Sequence, residues 1–128
     1  MERKLSNTVL FVDDEPDHLF SMRQILKYEA DDFNFLGVSS GDECLRLLEN
    51  GTKPNVILLD IMMPGMNGWE VYDRIRNNPS WDDIPIVFFT ARSDELARDT
   101  AMALGDDYLE KPVETKTLVK HLKQMVKT

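Results

Sequence analysis

The chain predicts an α/β fold: a doubly wound, five-stranded parallel sheet with helices on both faces. Apolar runs alternate with segments of helical period along its whole length, the mark of repeated strand-helix units. One of those runs, residues 55–59, is apolar without alternation, as expected of a central strand covered on both faces. Polar residues gather where the runs end, at Asp13-Asp14-Glu15, Asp60, Thr90 and Lys111.

The first strand is expected at about 8–12, Thr8-Val9-Leu10-Phe11-Val12. The helix after it starts near Pro16, whose fixed φ suits a first turn, and carries Leu19, Met22, Ile25 and Leu26 on one face. A second strand is expected at roughly 33–38. The second helix follows Ser40, has Asp42 and Glu43 in its first turn, buries Cys44, Leu45 and Leu48, and stops at Asn50-Gly51. Strand three, 55–59, takes the middle of the sheet. Helix three begins near Met66 to Gly68, presents Val71, Tyr72 and Ile75, and ends before Asn77-Asn78-Pro79, because a proline disfavours helix at the residue before it.

A turn-rich link, Ser80-Trp81-Asp82-Asp83, leads to strand four, Ile84 to Phe89, which Thr90 closes. Helix four, about 94–104, has a modest apolar face of Ala97, Ala101 and Leu104 and a stop at Gly105. Strand five is short, about Asp107 to Leu109, and Lys111-Pro112 follows it. Helix five starts near Glu114 or Thr115 and repeats Leu118, Leu122, Met125 and Val126 as a core stripe.

At 128 residues the chain is one domain, 1–128 with a core at about 8–126, large enough to fold without staples. Cys44, the single cysteine, excludes an intramolecular disulfide and points to a reducing compartment. No segment has the length of a signal-peptide core or of a membrane span, so a cytoplasmic protein without membrane insertion is expected. The net charge of -8 would repel a phosphate backbone, which argues against direct binding of nucleic acid. Lys116, Lys120, Lys123 and Lys127 form a basic patch that the helix dipole and solubility explain.

In an open α/β sheet, sites lie outside the carboxyl ends of the strands. Asp13, Asp14, Asp60, Thr90 and Lys111 would rise from one such rim. Clustered carboxylates repel one another and raise at least one pKa, so a hard cation with oxygen ligands is the natural occupant, and magnesium suits a site that keeps several waters. With that cation, Asp60 can attack phosphorus in line, which a bare carboxylate facing a phosphate dianion resists. Thr90 can donate to one phosphoryl oxygen and Lys111 can pair with another, and phosphoryl transfer consists largely of such positioning.

The set Val12-Asp13-Asp14-Glu15, Leu59-Asp60 through Gly68, Thr90-Ala91 and Lys111-Pro112 resembles the receiver domain of two-component response regulators, in the right order and spacing from about Thr8 to Val126. The resemblance implies the flavodoxin-like strand order 2-1-3-4-5. It implies that Asp60 accepts phosphate, that Asp14 binds magnesium directly, and that Asp13 holds it through water, with the Met62 carbonyl completing the protein ligands. Thr90 and Lys111 would follow the phosphoryl group, and Tyr108 resembles the aromatic residue that swings inward when Thr90 moves. The Lys111-Pro112 peptide is often cis in this family. Asp106 and Cys44 stand where the family often has Ala, away from the acidic rim.

The resulting expectation is a stand-alone module, without an output domain, phosphorylated on Asp60 by a histidine kinase or phosphotransfer protein. It would not be an enzyme in the usual sense, although it would catalyse its own phosphorylation and slow autodephosphorylation. Output would pass to a downstream protein through the helix 4, strand 5, helix 5 face, in a monomer or a weak phosphorylation-dependent dimer. Arg92, two residues after Thr90, is expected to affect phosphoryl lifetime by pairing with the phosphate or with Glu15, and Met62 would flank the phosphate. A magnesium-dependent phosphohydrolase with an aspartyl nucleophile is the alternative, but its nucleophile usually ends the first strand. A flavodoxin-like cofactor binder would need a first loop that cradles phosphate, and Asp13-Asp14-Glu15 would repel one. His18 and His121 read as inert helix residues, and Trp69 and Trp81 as covers for the core.

Overall fold

The computed structural model of the chain describes residues 7–30, 32–90, 95–104, 107–111 and 113–126, with the backbone alone at Thr90, Leu96 and Ala97. Five strands alternate with five helices: β1 (Asn7–Val12), α1 (Pro16–Glu29), β2 (Phe33–Val38), α2 (Gly41–Glu49), β3 (Val56–Leu59), α3 (Gly68–Arg76), β4 (Ile86–Thr90), α4 (Glu95–Leu104), β5 (Asp107–Glu110) and α5 (Thr115–Val126). All pairings are parallel, in the order β2-β1-β3-β4-β5. The order reverses between β1 and β3, which opens a crevice at their carboxyl ends.

Strand alternation divides the core in two. Leu10, Val12, Ile57, Leu59, Ile86 and Phe88 point to one face, where Cys44 and Leu48 of α2, Val71 and Ile75 of α3 and Ala101 of α4 cover them. Val9, Phe11, Val56, Leu58, Val87 and Phe89 point to the other, beneath Met22 and Leu26 of α1 and Leu118 and Leu122 of α5. Every residue of β3 is buried, the burial expected of a strand with helices on both sides. Trp69 and Trp81 pack against the first cluster, as expected.

Local caps fix the helix starts. The Ser40 hydroxyl accepts from the Glu43 N–H at 3.1 Å, and the Glu43 carboxylate accepts from the Ser39 N–H at 2.7 Å, which, with the Ser39 hydroxyl, lowers its pKa. Asn67 and Glu70 form a reciprocal capping box at α3: the Glu70 N–H donates to Asn67 and the Asn67 N–H to Glu70.

Two expectations are corrected. Strand four begins at Ile86, not Ile84: Ile84 is buried, but it closes a turn, donating its N–H to Trp81 and accepting from the Arg76 guanidinium at 2.9 Å, and Pro85 has no N–H for a ladder. Leu104 is 47% exposed rather than part of the apolar face of α4; its carbonyl, not its side chain, is held, by the Tyr72 hydroxyl of α3. The Gly105 stop, Asp106, the Lys111-Pro112 peptide, Lys127 and the Ala97 side chain lie outside the described residues.

Candidate functional site

The sheet register brings the acidic residues together. Val12 of β1 lies opposite Leu59 of β3, so the next residues, Asp13 and Asp60, leave adjacent strands side by side. Their backbones still extend the ladder: the Asp13 N–H donates to Val38 at 3.1 Å and the Asp60 N–H to Val12 at 3.0 Å. Both carboxylates are buried, Asp13 fully and Asp60 to 6% exposure. Asp14 is partly exposed, and one oxygen from each of Asp13, Asp14 and Asp60 lies within 4.8 Å of the others.

Lys111, one residue beyond β5, closes the cluster. Its ammonium pairs with Asp13 Oδ2, stands 3.7 Å from Asp60 Oδ2, and sits 5.3 Å over the Phe89 ring and 5.9 Å over that of Phe11. Burial pushes the Asp60 pKa up to about 6; Lys111 opposes that rise, Asp13 adds to it, the Met62 N–H opposes it, and Asp14 adds a little more. A cation with oxygen ligands fits this donor set, because it offsets the desolvation and mutual repulsion that hold Asp60 high.

Backbone packing holds the loop that follows Asp60. The Gly68 N–H donates to Ile61 at 2.9 Å, and a Cβ on Gly68 would stand 2.3 Å from the Asp60 carbonyl oxygen. Gly65 has φ +73°, a conformation that favours glycine. The sequence marks both positions only as part of the receiver-like run after Asp60, with Gly68 near the start of helix three. The close approach of Gly68 to Asp60 is a tertiary contact.

Of the residues singled out from sequence, Asp13, Asp14, Asp60 and Lys111 converge. Thr90 ends β4 opposite Glu110, one residue short of Lys111 in the neighbouring strand; its side chain and all of Arg92 lie outside the described residues. Tyr108 lies opposite Phe88 in β5 and packs, half-buried, against the α2–α3 side of the core. Met62 is 53% exposed beside the cluster. His18, read from sequence as an inert helix residue, reaches the cluster: its Nδ1 lies 3.0 Å from Asp13 Oδ2 and 3.0 Å from Lys111 Nζ. Its place in the first turn of α1, beside the acidic pair, was the available signal. His121 is tied to Asp107 of β5.

Among the described residues no helix is long and apolar enough to cross a membrane. The response regulator receiver domain family matches residues 9–123. The phosphate regulon transcriptional regulatory protein PhoB of Rhizobium meliloti is 37% identical over 107 residues, covering 80% of this chain and 46% of that protein. The chain spans about half or less of the length of the curated relatives it matches. A response regulator receiver protein from Burkholderia phymatum superposes with a TM-score of 0.81 at 29% identity, covering 94% of this chain and 95% of that one. The receiver domain of sensor histidine kinase PA1611 from Pseudomonas aeruginosa, whose structure holds magnesium in its active-site cleft, shares the fold at a TM-score of 0.85 and 23% identity, covering 96% and 99% of the two chains. With a family match over most of its length and an acidic pocket of the kind that serves as a phosphoacceptor site, this chain belongs to the response regulator receiver domains.

Proposed function

We propose that Asp60 is a phosphoacceptor that takes its phosphoryl group from a histidine kinase or phosphotransfer protein. The observation that carries this reading is the convergence of buried Asp13 and Asp60, partly exposed Asp14 and the Lys111 ammonium at the carboxyl edge of β1, β3 and β5. An Asp60 oxygen attacks the phosphorus of a phosphohistidine, the P–N bond breaks, and the imidazole nitrogen keeps the electron pair and takes a proton. Lys111 shifts from Asp13 toward the phosphoryl oxygen, and the Thr90 hydroxyl donates to another. Asp13, Asp14, Asp60 and the Met62 carbonyl would hold magnesium, which would supply the charge neutralisation that lets a carboxylate approach a phosphate. The Pseudomonas receiver that holds magnesium in its cleft supports that choice of ion.

Phosphorylation then acts by shifting a pre-existing equilibrium, with Thr90 and Tyr108 moving together and the α4-β5-α5 face changing its affinity for a downstream protein. The module turns over its own phosphoryl group slowly and acts in the cytoplasm, as a monomer or a weak phosphorylation-dependent dimer. Arg92 lengthens the life of the phosphoryl group by shielding it; an unchanged dephosphorylation rate in Arg92→Ala contradicts that role. The phosphohydrolase alternative is disfavoured, because its nucleophile usually ends the first strand and Asp60 follows β3.

The test is phosphotransfer from a panel of histidine kinases to the wild-type chain and to Asp60→Asn, with and without a chelator. Label on the wild type in magnesium alone is expected. Equal label on Asp60→Asn defeats the site, and transfer that ignores the chelator defeats the metal.

A further inference from the structure

A cleft of about 870 Å³ opens at the end of the sheet opposite the acidic rim, where Asn7 begins β1, Phe33 begins β2 and Asn55 precedes β3. Helix α5 forms one wall. Lys116, Lys120 and Lys123 line it at successive spacings of four and three residues, so they share a helix face about 10 Å long. On a chain of net charge -8 this stripe is a local reversal of sign.

The fold itself gains little from the stripe. The helix dipole favours Lys123, in the last turn of α5, but disfavours Lys116, the second residue of the helix. Like charges at these spacings repel, and among the described residues no ion pair engages any of the three lysines. Glu29 and Asp32 border the same cleft, yet neither comes within ion-pair distance of a lysine. The cleft also presents apolar surface from the half-buried Val119 and Val126.

We infer that this cleft is a docking site for an acidic, amphipathic segment of a partner protein. Its carboxylates pair with Lys116, Lys120 and Lys123, and its apolar side rests on Val119 and Val126. Charge complementarity selects that occupant. The chain's own residues 1–6 carry Arg3 and Lys4 against one acid, Glu2, and the stripe would repel them. A nucleic-acid backbone is charged on every side and would meet Glu29 and Asp32, whereas a segment with carboxylates on one side avoids them. No residue of the acidic rim lines the cleft, so the inference stands apart from the phosphoacceptor reading.

The test is an amide-shift NMR titration of the full chain with a synthetic helix-forming peptide. The peptide carries three glutamates spaced four and three residues apart, leucines beside them and glutamines elsewhere. Two further probes are the same peptide with its glutamates replaced by glutamines and a short single-stranded oligonucleotide. Shifts are expected at residues 116–124 and at Asn55, with affinity severalfold lower for the glutamine peptide and falling as salt rises from about 50 to about 500 mM. Lys116→Glu combined with Lys120→Glu should weaken the acidic peptide about tenfold, since two attractions become repulsions. Lys116→Glu alone should melt no lower than the wild type, because the dipole then favours the side chain, so lost binding is not lost fold. Absent binding, equal binding of the glutamine peptide, unchanged affinity in the double variant, shifts centred elsewhere, or tighter binding of the oligonucleotide each overturns the inference. A lower melting temperature in Lys116→Glu also overturns it, since the lysine then serves Glu29 and Asp32 within the fold. Sedimentation of the chain alone closes the test: a monomer is expected, and a dimer that the double variant abolishes would make the occupant a second copy and overturn the partner assignment.

Discussion

Burial makes Asp60 costly and Cys44 inert. The Asp60 carboxyl has a pKa of about 6 in the fold against an ordinary 3.8, chiefly because burial penalises its charge. The folded chain therefore binds that proton more tightly than the unfolded chain does. The stability this provides is complete below the ordinary value and is lost as pH rises through about 6, a swing of about 3 kcal/mol. In magnesium-free buffer at pH 7.5, Asp60→Asn should melt higher than the wild type, and the gap should narrow as the pH is lowered to about 5; a gap that does not change with pH contradicts the burial account. Cys44, fully buried with its thiol pushed up to about 12, is expected to ignore a thiol reagent in the native protein and to react once the chain is unfolded in guanidinium. Native-state labelling at the unfolded rate would refute it.

Helix α3 links sequence to site at the scale of elements. Its Asn67–Glu70 capping box sets where it starts, and Gly68, its first residue, lies against the backbone of Asp60. Gly68→Ala should cost about 1–3 kcal/mol through that backbone clash and lower the phosphorylation rate as well, whereas Asn67→Ala should cost about 1 kcal/mol in stability. Thermal melts and phosphorylation rates of the two variants check the pair; a Gly68→Ala protein that is no less stable and no slower contradicts the close approach. Most elements were legible in the sequence because their signals are local: apolar runs for the strands, Ser40 and Pro16 at helix starts, Asn50-Gly51 and Pro79 at ends. Ile84 misled because an apolar residue before a proline looks like strand, while its backbone is spent on Trp81 and Arg76. Leu104 misled because α4 is anchored there by its carbonyl. The acidic rim was legible because strand ends in a parallel sheet share one edge. The approach of His18 to Asp13, five residues away, had a local signal, whereas its approach to Lys111, 93 residues away along the chain, had none.

On the scale of the whole molecule, two helical layers compress a central sheet whose one polar edge concentrates negative charge. Among the described residues, three carboxylates and one ammonium leave that edge short of positive charge, and any ligand that binds it only in the folded state must stabilise the whole domain. Magnesium at a hundred times its dissociation constant should add about 2.7 kcal/mol to the stability of the wild type, and much less in Asp13→Asn or Asp60→Asn. Denaturant titrations with and without the ion read this directly; equal magnesium stabilisation in all three proteins contradicts the metal assignment. The central claim is narrower still: one aspartate carries the phosphoryl group. Reduction of the phosphorylated chain with borohydride converts an aspartyl phosphate to homoserine, which peptide mass spectrometry locates. The expected result is homoserine at position 60 and nowhere else, formed only when magnesium and a phosphodonor are present; homoserine at Asp13 or Asp14, or phosphate retained with none formed, contradicts the account.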